Sequence, residues 1–476
     1  MTTSLQFLGA ADTVTGSKYL IDTPTSRVLV DCGLFQGFKV LRERNRADFA
    51  VPPESIDAVV LTHAHLDHSG YLPALVRDGF RGPVYATSGT TELCGVMLPD
   101  SAHLLEEEAR HAARGGWSSH RTPRPLYTAQ DAARSLERFT RLDFDTPRRV
   151  ADGLDLTLVP AGHILGAAGA RLTIDGRVVH FTGDLGRAVD PLMRAPKSLE
   201  PASVLVTEST YGDRRHSQVD PETQLGDLTR RVALRNGVIM IPAFAVGRTE
   251  TILLHLSRLQ ERGELPDIPI YLNSPMAIDV TEIYARHPDE HCLARDEIER
   301  MYRLARLVRT VDDSKLLNLR GGPMIIISAS GMLAGGRILH HLVAYGGDPR
   351  NAIVLTGYQA GGTRGAALRD GATSVRIFGA DVPIRAEVVS IETMSAHADA
   401  DELLAWMGAV AVPPEMVYVT HGEPTASDAL RARIKRELHW NVRVPEYLER
   451  VPLHDVVTTA GPSAPTGPPT GVTLEP

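Results

Sequence analysis

Cysteine is scarce in this chain of 476 residues: three, at 32, 94 and 292, odd in number and far apart. None forms a C-x-x-C pair, which argues against a disulfide framework and a thiolate zinc site and points to a reducing, cytoplasmic setting. Long apolar runs are missing too. No stretch reaches about 18 apolar residues, so no membrane span is expected. The first residues, Met1-Thr-Thr-Ser-Leu-Gln-Phe7, hold neither a basic region nor an apolar signal core. Lysine is rare: five of the 50 basic residues, at 18, 39, 197, 315 and 435. Arginine suits bidentate phosphate contacts, but a GC-rich coding bias gives the same ratio and is the favoured reading. Net positive charge is absent, the formal value being −8. That does not support a protein that coats nucleic acid non-specifically, while leaving room for a nuclease whose basic residues are confined to a groove.

Length predicts two domains. The 43% hydrophobic and 23% charged residues are ordinary for a globular protein. Residues 1 to about 100 alternate turns with strand-like runs: Ser4–Leu8, Lys18–Ile21, Arg27–Val30, Ala58–Leu61 and Pro83–Ala86. Residues 101–145 read as mostly helical, with a polar break at Gly115–Pro125. Strands return at Leu154–Val159 and in a hairpin, Ala170–Ile174 and Arg177–Thr182, whose turn Asp175-Gly176 suits positive φ. Near residue 210 the rhythm changes. Val238–Ile241, Ile268–Leu272, Met324–Ile327 and Ile353–Leu355 are continuous apolar runs, separated by helical patterns at Thr249–Arg262, Ala277–Arg286, Asp296–Val311 and Gly335–Ala344. This alternation marks a parallel sheet covered on both faces. Strands Ser374–Phe378 and Glu387–Ile391 follow, then helix Asp399–Gly408, strand Met416–Val419 and helix Thr425–Leu438. The fold class is α/β: an α/β unit of about 160 residues inserted into a strand-rich domain.

His63-Ala64-His65-Leu66-Asp67-His68 sets three imidazoles and a carboxylate in six positions, the donors that borderline-soft Zn2+ prefers. Chance gives this pattern about once in a thousand such chains. It follows strand-like Ile56–Leu61 and precedes a Ser69-Gly70 turn, where a rigid sheet can aim several side chains at one point. One hexapeptide cannot close a two-metal site. Pro160-Ala161-Gly162-His163, Phe181-Thr182-Gly183-Asp184 and Val419-Thr420-His421-Gly422-Glu423 each set a ligand-type residue beside Gly just after a strand. Alone, each is more often a cap or loop residue; beside the hexapeptide they predict joint ligation. Two Zn2+ about 3.5–4 Å apart would share one carboxylate and one hydroxide and lower the water pKa toward about 7.

These residues carry a resemblance. Val30-Asp31-Cys32-Gly33, the hexapeptide, His163, Asp184 and His421 resemble, in order, the five motifs of the metallo-β-lactamase fold. The resemblance implies an αββα sandwich with two Zn2+: His63, His65 and His163 on one, Asp67, His68 and His421 on the other, Asp184 bridging, and Asp31 orienting the site without ligating. Thr207-Glu208-Ser209-Thr210-Tyr211-Gly212 and Ser395-Ala396-His397-Ala398-Asp399 resemble motifs A and B of the β-CASP nucleases, with His421 at motif C. Pro242 to Arg248, Ser274-Pro275-Met276 and Ser328 to Met332 are similar to further stretches of that family's inserted domain. At Arg248 the chain reads Arg-Thr-Glu-Thr, where the family usually shows Arg-x-Gln-Glu. The implied organisation is a metallo-β-lactamase domain in two parts, 1–207 and 372–460, an inserted β-CASP domain, 208–371, and a tail, 461–476, expected to be disordered.

The resemblance implies a ribonuclease holding single-stranded RNA in the cleft between the domains. Its catalytic set would be Asp67, Asp184, Glu208 and His397. A metal-bridging hydroxide would attack phosphorus, and His397, held by Glu208, would protonate the departing 3′-oxygen. The ends left would be 3′-hydroxyl and 5′-phosphate, with internal cutting the expected mode. In that family His at motif C goes with RNA and Val with DNA. Substrate phosphates are expected at Arg248 and at the Gly-rich turns Ser330-Gly331 and Gly362-Thr363, whose N–H groups suit anions, although such turns are as common without a ligand. Arg300, Arg303, Arg306 and Arg309 recur every third residue on the predicted helix; a solvated face is favoured over an RNA track. Three alternatives stay open. A thioester or lactone hydrolase of the same fold would not need the inserted unit. A DNA nuclease is disfavoured by His421. An inactive RNA-binding scaffold should have lost ligands. A homodimer is compatible with the sequence.

Overall fold

This computed structural model describes residues 2–115 and 123–453. The expected tail 461–476, and residues 116–122 of the predicted polar break, lie outside them. Two seven-stranded sheets form the larger half. The first runs, in spatial order, Arg450–Pro452, Ser4–Phe7, Tyr19–Asp22, Arg27–Val30, Ala58–Val60, Val84–Thr87 and Phe139–Leu142. The second runs Val442–Arg443, Met416–Val419, Val204–Thr207, Arg177–Phe181, Ala168–Ile174, Leu154–Pro160 and Arg148–Ala151. Side chains alternate across a strand, so each sheet has an inner and an outer face. The inner faces share one core: Leu5, Val28 and Val60 of the first sheet with Leu156, Val179 and Val206 of the second. Phe7 meets Tyr418 across it (ring centroids 5.1 Å) and Tyr19 meets Phe181 (5.5 Å). Each fully buried aliphatic side chain there contributes about 1.5–3 kcal/mol.

Helices cover both outer faces. Val59 and Leu61 pack with Leu72 and Leu75 of helix Leu72–Arg77 and with Leu93 and Leu98 of helix Ser88–Gly115. On the opposite side Leu205, Val417 and Val419 pack with Leu403 and Met407 of helix Ala400–Gly408 and with Leu430 of helix Pro424–Arg433. This is the αββα sandwich. The hairpin turn falls where expected, with Asp175 (φ 50°) and Gly176 (φ 77°) joining Ile174 to Arg177.

A third sheet is parallel throughout: Arg306–Leu307, Ile270–Leu272, Met324–Ser328, Val238–Pro242, Ala352–Leu355 and Glu387–Ser390. Strand Val238–Pro242 is buried at all five positions because both its faces are covered. Ile239 and Ile241 face a cluster with Leu253 and Leu256 of helix Arg248–Glu261, and Val238 and Met240 one with Leu339 and Leu342 of helix Ile338–Tyr345.

The structure corrects several expectations. The helix predicted over Asp296–Val311 ends at Leu304, because Arg306–Leu307 pairs with Tyr271–Leu272 as an edge strand. The basic helical face therefore does not exist as such: Arg300 pairs with Glu261 and Asp296 (both 2.5 Å), and Arg303 with Glu299 (3.6 Å). Residues 101–145 are not helical to their end, since Phe139–Leu142 closes the first sheet beside Val84–Thr87. Glu387–Ser390 pairs with Ala352–Leu355 at the edge of the third sheet. Where an expected helix gave way to a strand, long-range pairing overrode a local pattern. Among the described residues no helix is long and apolar enough to cross a membrane.

Candidate metal centre

Six strands deliver their C-terminal ends to one edge of the sandwich. Asp31 follows Arg27–Val30, the hexapeptide follows Ala58–Val60, and His163 follows Leu154–Pro160. Asp184 follows Arg177–Phe181, Glu208 follows Val204–Thr207 and His421 follows Met416–Val419. Asp31 (φ 59°) and His421 (φ 48°) hold left-handed backbone, which costs a non-glycine residue about 1–3 kcal/mol and turns its side chain sharply off the strand. Gly33 lets the hexapeptide approach, since a Cβ there would sit 1.6 Å from the Asp67 carbonyl oxygen.

The seven expected ligands converge in two groups joined by one carboxylate: His63, His65, His163 and Asp184, and Asp67, His68 and His421. Asp184 Oδ2 lies 3.4 Å from His63 Nε2 and 3.5 Å from His163 Nε2. Its Oδ1 lies 3.1 Å from His68 Nε2 and 3.5 Å from His421 Nδ1. His65 Nδ1 completes the first group, 3.1 Å from His63 Nε2 and 3.3 Å from His163 Nε2. In the second, His421 Nε2 lies 3.1 Å from His68 Nε2 and 3.6 Å from Asp67 Oδ2. Donors sharing one tetrahedral zinc at about 2.0–2.1 Å lie about 3.3–3.4 Å apart, so the spacing fits a metal. So does the chemistry: imidazole nitrogens and carboxylate oxygens, the donors that zinc takes, converge on the buried Asp184.

Electrostatics agrees. Burial lowers the His63 imidazole to about 3 and His65 to about 4 and drives His163 well below its ordinary value, so all three are neutral, the ligating form. Burial alone would also lower His68, but Asp184 and Asp31 raise it well above that value. Burial opposes ionisation of Asp184, yet His421 and His68 hold it far below the usual carboxylate range. These paired carboxylates demand positive charge, which a metal ion would supply in place of protons.

Asp31 stands behind this shell. His68 Nδ1 donates to its Oδ2 at 2.7 Å, and Thr62 donates to it through its backbone N–H (2.8 Å) and hydroxyl (2.9–3.0 Å). Thr210 Oγ1 holds His421 Nδ1 at 3.1 Å. On the open side His397 Nδ1 donates to Glu208, 3.2 and 3.1 Å from its two oxygens, and lies 4.0 Å from Asp184 Oδ2. Glu208 is fixed in turn by the Leu185 N–H (2.6 Å). Burial would lower His397, but the charges of Glu208 and Asp184 raise it. Sequence reasoning missed His216, Thr62 and Thr210. His216 Nε2 donates to the His397 carbonyl at 2.8 Å and its backbone N–H donates to Asp399 Oδ2 at 2.8 Å. Its only signal was a histidine in the loop that carries Glu208.

The expected substrate contacts divide. Thr363 is committed to the fold: its hydroxyl donates to the Ala360 carbonyl (2.7 Å) and caps helix Arg364–Arg369 by accepting from the Ala366 N–H (3.2 Å). Gly362 lies against the Phe38 backbone, and the N–H of neighbouring Gly361 donates to Glu423 (3.1 Å). Ser330 Oγ accepts from the Ala334 N–H (3.2 Å). Gly331 packs on Phe244, whose ring is 6.0 Å from that of His65. Arg248 is buried.

Three family models match the chain: the metallo-beta-lactamase superfamily over residues 12–232, the Beta-Casp domain over 249–368, and the Zn-dependent metallo-hydrolase RNA specificity domain over 381–445. Among similar proteins, Ribonuclease TTHA0252 of Thermus thermophilus is 39% identical over 422 residues, 87% of this chain and 92% of that one. Transcription termination factor FttA of Methanosarcina mazei is 31% identical over 94% of this chain and 71% of its own. The RNase J-like protein of Methanocaldococcus jannaschii is 30% identical over 93% and 97%.

Proposed function

The chain belongs to the metallo-beta-lactamase superfamily and carries its Beta-Casp domain, so it is a metal-dependent hydrolase; from that premise we propose a ribonuclease working through two zinc ions. His63, His65, His163 and Asp184 Oδ2 would hold one ion, and Asp67, His68, His421 and Asp184 Oδ1 the other. Bound there, the ions would supply Lewis acidity, activating water and neutralising phosphate oxygens. Asp31 keeps His68 turned so that Nε2 faces the centre (2.7 Å to Nδ1), and Thr210 does the same for His421 (3.1 Å). Glu208 fixes one proton of His397 on Nδ1 and favours the imidazolium, in which Nε2 carries the other. As the bond from phosphorus to the 3′-oxygen breaks, that Nε2 proton passes to the leaving oxygen, giving a 3′-hydroxyl, while the oxygen of water stays on the 5′-phosphate. RNA is favoured over DNA by His421, by the match to an RNA specificity domain, and by the 39% identity to a protein named a ribonuclease.

The observation that carries this reading is Asp184, with one oxygen toward each histidine group and His397 Nδ1 at 4.0 Å. Zinc-loaded protein incubated with end-labelled single-stranded RNA and DNA of matched sequence tests it. Internal cuts in RNA alone are expected. Turnover of a thioester with neither polymer cut would instead assign a small-molecule hydrolase.

A further inference from the structure

Arg248 opens helix Arg248–Glu261, yet its side chain is buried, 9% exposed. Among the described residues, neither its Nε nor its Nη1 has a hydrogen-bond acceptor. A buried guanidinium without a partner is strongly unfavourable. Its surroundings add charge of the same sign. It feels Arg187, whose buried Nε makes no hydrogen bond among the described residues and is ion-paired with Glu402 at 3.8 Å. Asp190, the carboxylate whose field reaches Arg248, accepts through Oδ1 from the N–H groups of Leu192 and Met193, both at 2.8 Å. Burial lowers Arg248 to about 10, so it stays charged at neutral pH.

Two residues that meet the pair through their own or a neighbour's backbone carry buried hydroxyls without hydrogen-bond partners among the described residues. Thr393 passes its carbonyl to Arg187 Nη1 (3.0 Å) but leaves its own Oγ1 unbonded. Thr356 Oγ1 is likewise unbonded. It precedes Gly357, where a Cβ would come within 3.2 Å of Arg248 Nη2, so the guanidinium lies against bare backbone. The place adjoins His397. Arg187 follows Gly186, which bridges to His397, and the Tyr211 ring, in the field of Arg248, lies 6.1 Å from that of His397.

We propose that Arg187, Arg248, Thr356 and Thr393 form an anion pocket beside His397 that takes a phosphate group of the RNA chain other than the one cut. The proposal rests on the ribonuclease reading for its ligand. Guanidinium forks and hydroxyls are the donors that phosphate oxygens accept from, and the ligand completes hydrogen bonds the fold leaves open. The phosphate is either a backbone diester or a terminal 5′-monophosphate.

Arg248→Met keeps the bulk and removes the charge. Thermal unfolding of the zinc-loaded protein with and without inorganic phosphate reads the pocket apart from activity. Without phosphate the variant is expected to be at least as stable as wild type, because an unpaired buried charge has gone; with phosphate its gain in Tm is expected to be smaller. On single-stranded RNA its KM is expected to rise about ten- to a hundredfold, with kcat changed less and the salt dependence of kcat/KM shallower by about one contact. Thr393→Val, a milder change, is expected to move KM the same way by less. Comparing 5′-hydroxyl with 5′-monophosphate RNA separates the sources: a loss confined to the monophosphate assigns the terminal group, and an equal loss on both assigns the backbone. Unchanged KM and salt slope, or a phosphate gain in Tm equal to wild type, overturns the pocket. A wild type that cuts no RNA while the variant still loses its phosphate response leaves the pocket standing and removes the ribonuclease reading.

Discussion

Two polar clusters of this molecule have similar spacing and different chemistry. At the edge of the sandwich, ring nitrogens of metal-ligand type converge: His63 Nε2 meets His65 Nδ1 and His68 Nε2 meets His421 Nε2, each at 3.1 Å. Beneath helix Arg248–Glu261, unlike faces unlike: Glu222 accepts from His255 Nδ1 at 2.9 Å and from Arg262 Nη1 at 2.6 Å. The second cluster is complete in itself, donor against acceptor, and reads as a structural ion-pair network. The first gathers seven ligand-type side chains in two groups, the arrangement that a metal ion would close. Density of charge does not separate a site from a strut; the matching of donors to acceptors does. Arg248 is the mirror case, with donors at Nε and Nη1 that meet no acceptor among the described residues.

Mutations can break this contrast. Asp184→Asn, which touches both histidine groups, is expected to lower RNA cleavage by about 10⁴-fold or more while the chain stays folded, checked by kinetics with circular dichroism and metal analysis. His397→Ala should lower kcat by about 10²–10⁴-fold with bound zinc unchanged; undiminished cleavage would remove it from the mechanism. His216→Ala, which frees the His397 carbonyl, should lower kcat by about 10-fold with KM held. Glu222→Gln should do the reverse of all three, leaving cleavage intact and lowering stability by about 1–3 kcal/mol in denaturant titration.

The same network gives a pH test. His255, then Arg262, hold the Glu222 carboxyl at about 2, below its ordinary 4.5. A carboxyl depressed in the folded state stabilises above its unfolded pKa and loses that contribution as pH falls through the folded one. The advantage of wild type over Glu222→Gln should therefore be full above pH 4.5 and fade toward pH 2.

The residues that converge at the candidate metal centre were largely legible in the sequence because its parts are local: a short apolar strand, a glycine, then a donor. The central strands of the third sheet were legible for a related reason, as both faces of Val238–Pro242 are buried. Edge strands were not. Arg306–Leu307 exists only through its pairing with Tyr271–Leu272, and Arg450–Pro452 only through Ser4–Phe7, so neither has a local pattern to find. Supporting residues were hidden similarly: Thr210 meets His421, and His216 meets His397, across long loops of sequence. Arg248 was visible as a residue, but its unpartnered state appears only once its neighbours are known.

The central claim is a two-metal centre directed at RNA. Metal-free protein titrated with Zn2+, with bound zinc and RNA cleavage recorded at each step, tests it most directly. Cleavage of RNA, and not of matched DNA, should appear as bound zinc approaches two per chain. Full activity at one zinc or none, or equal cleavage of DNA, would contradict it.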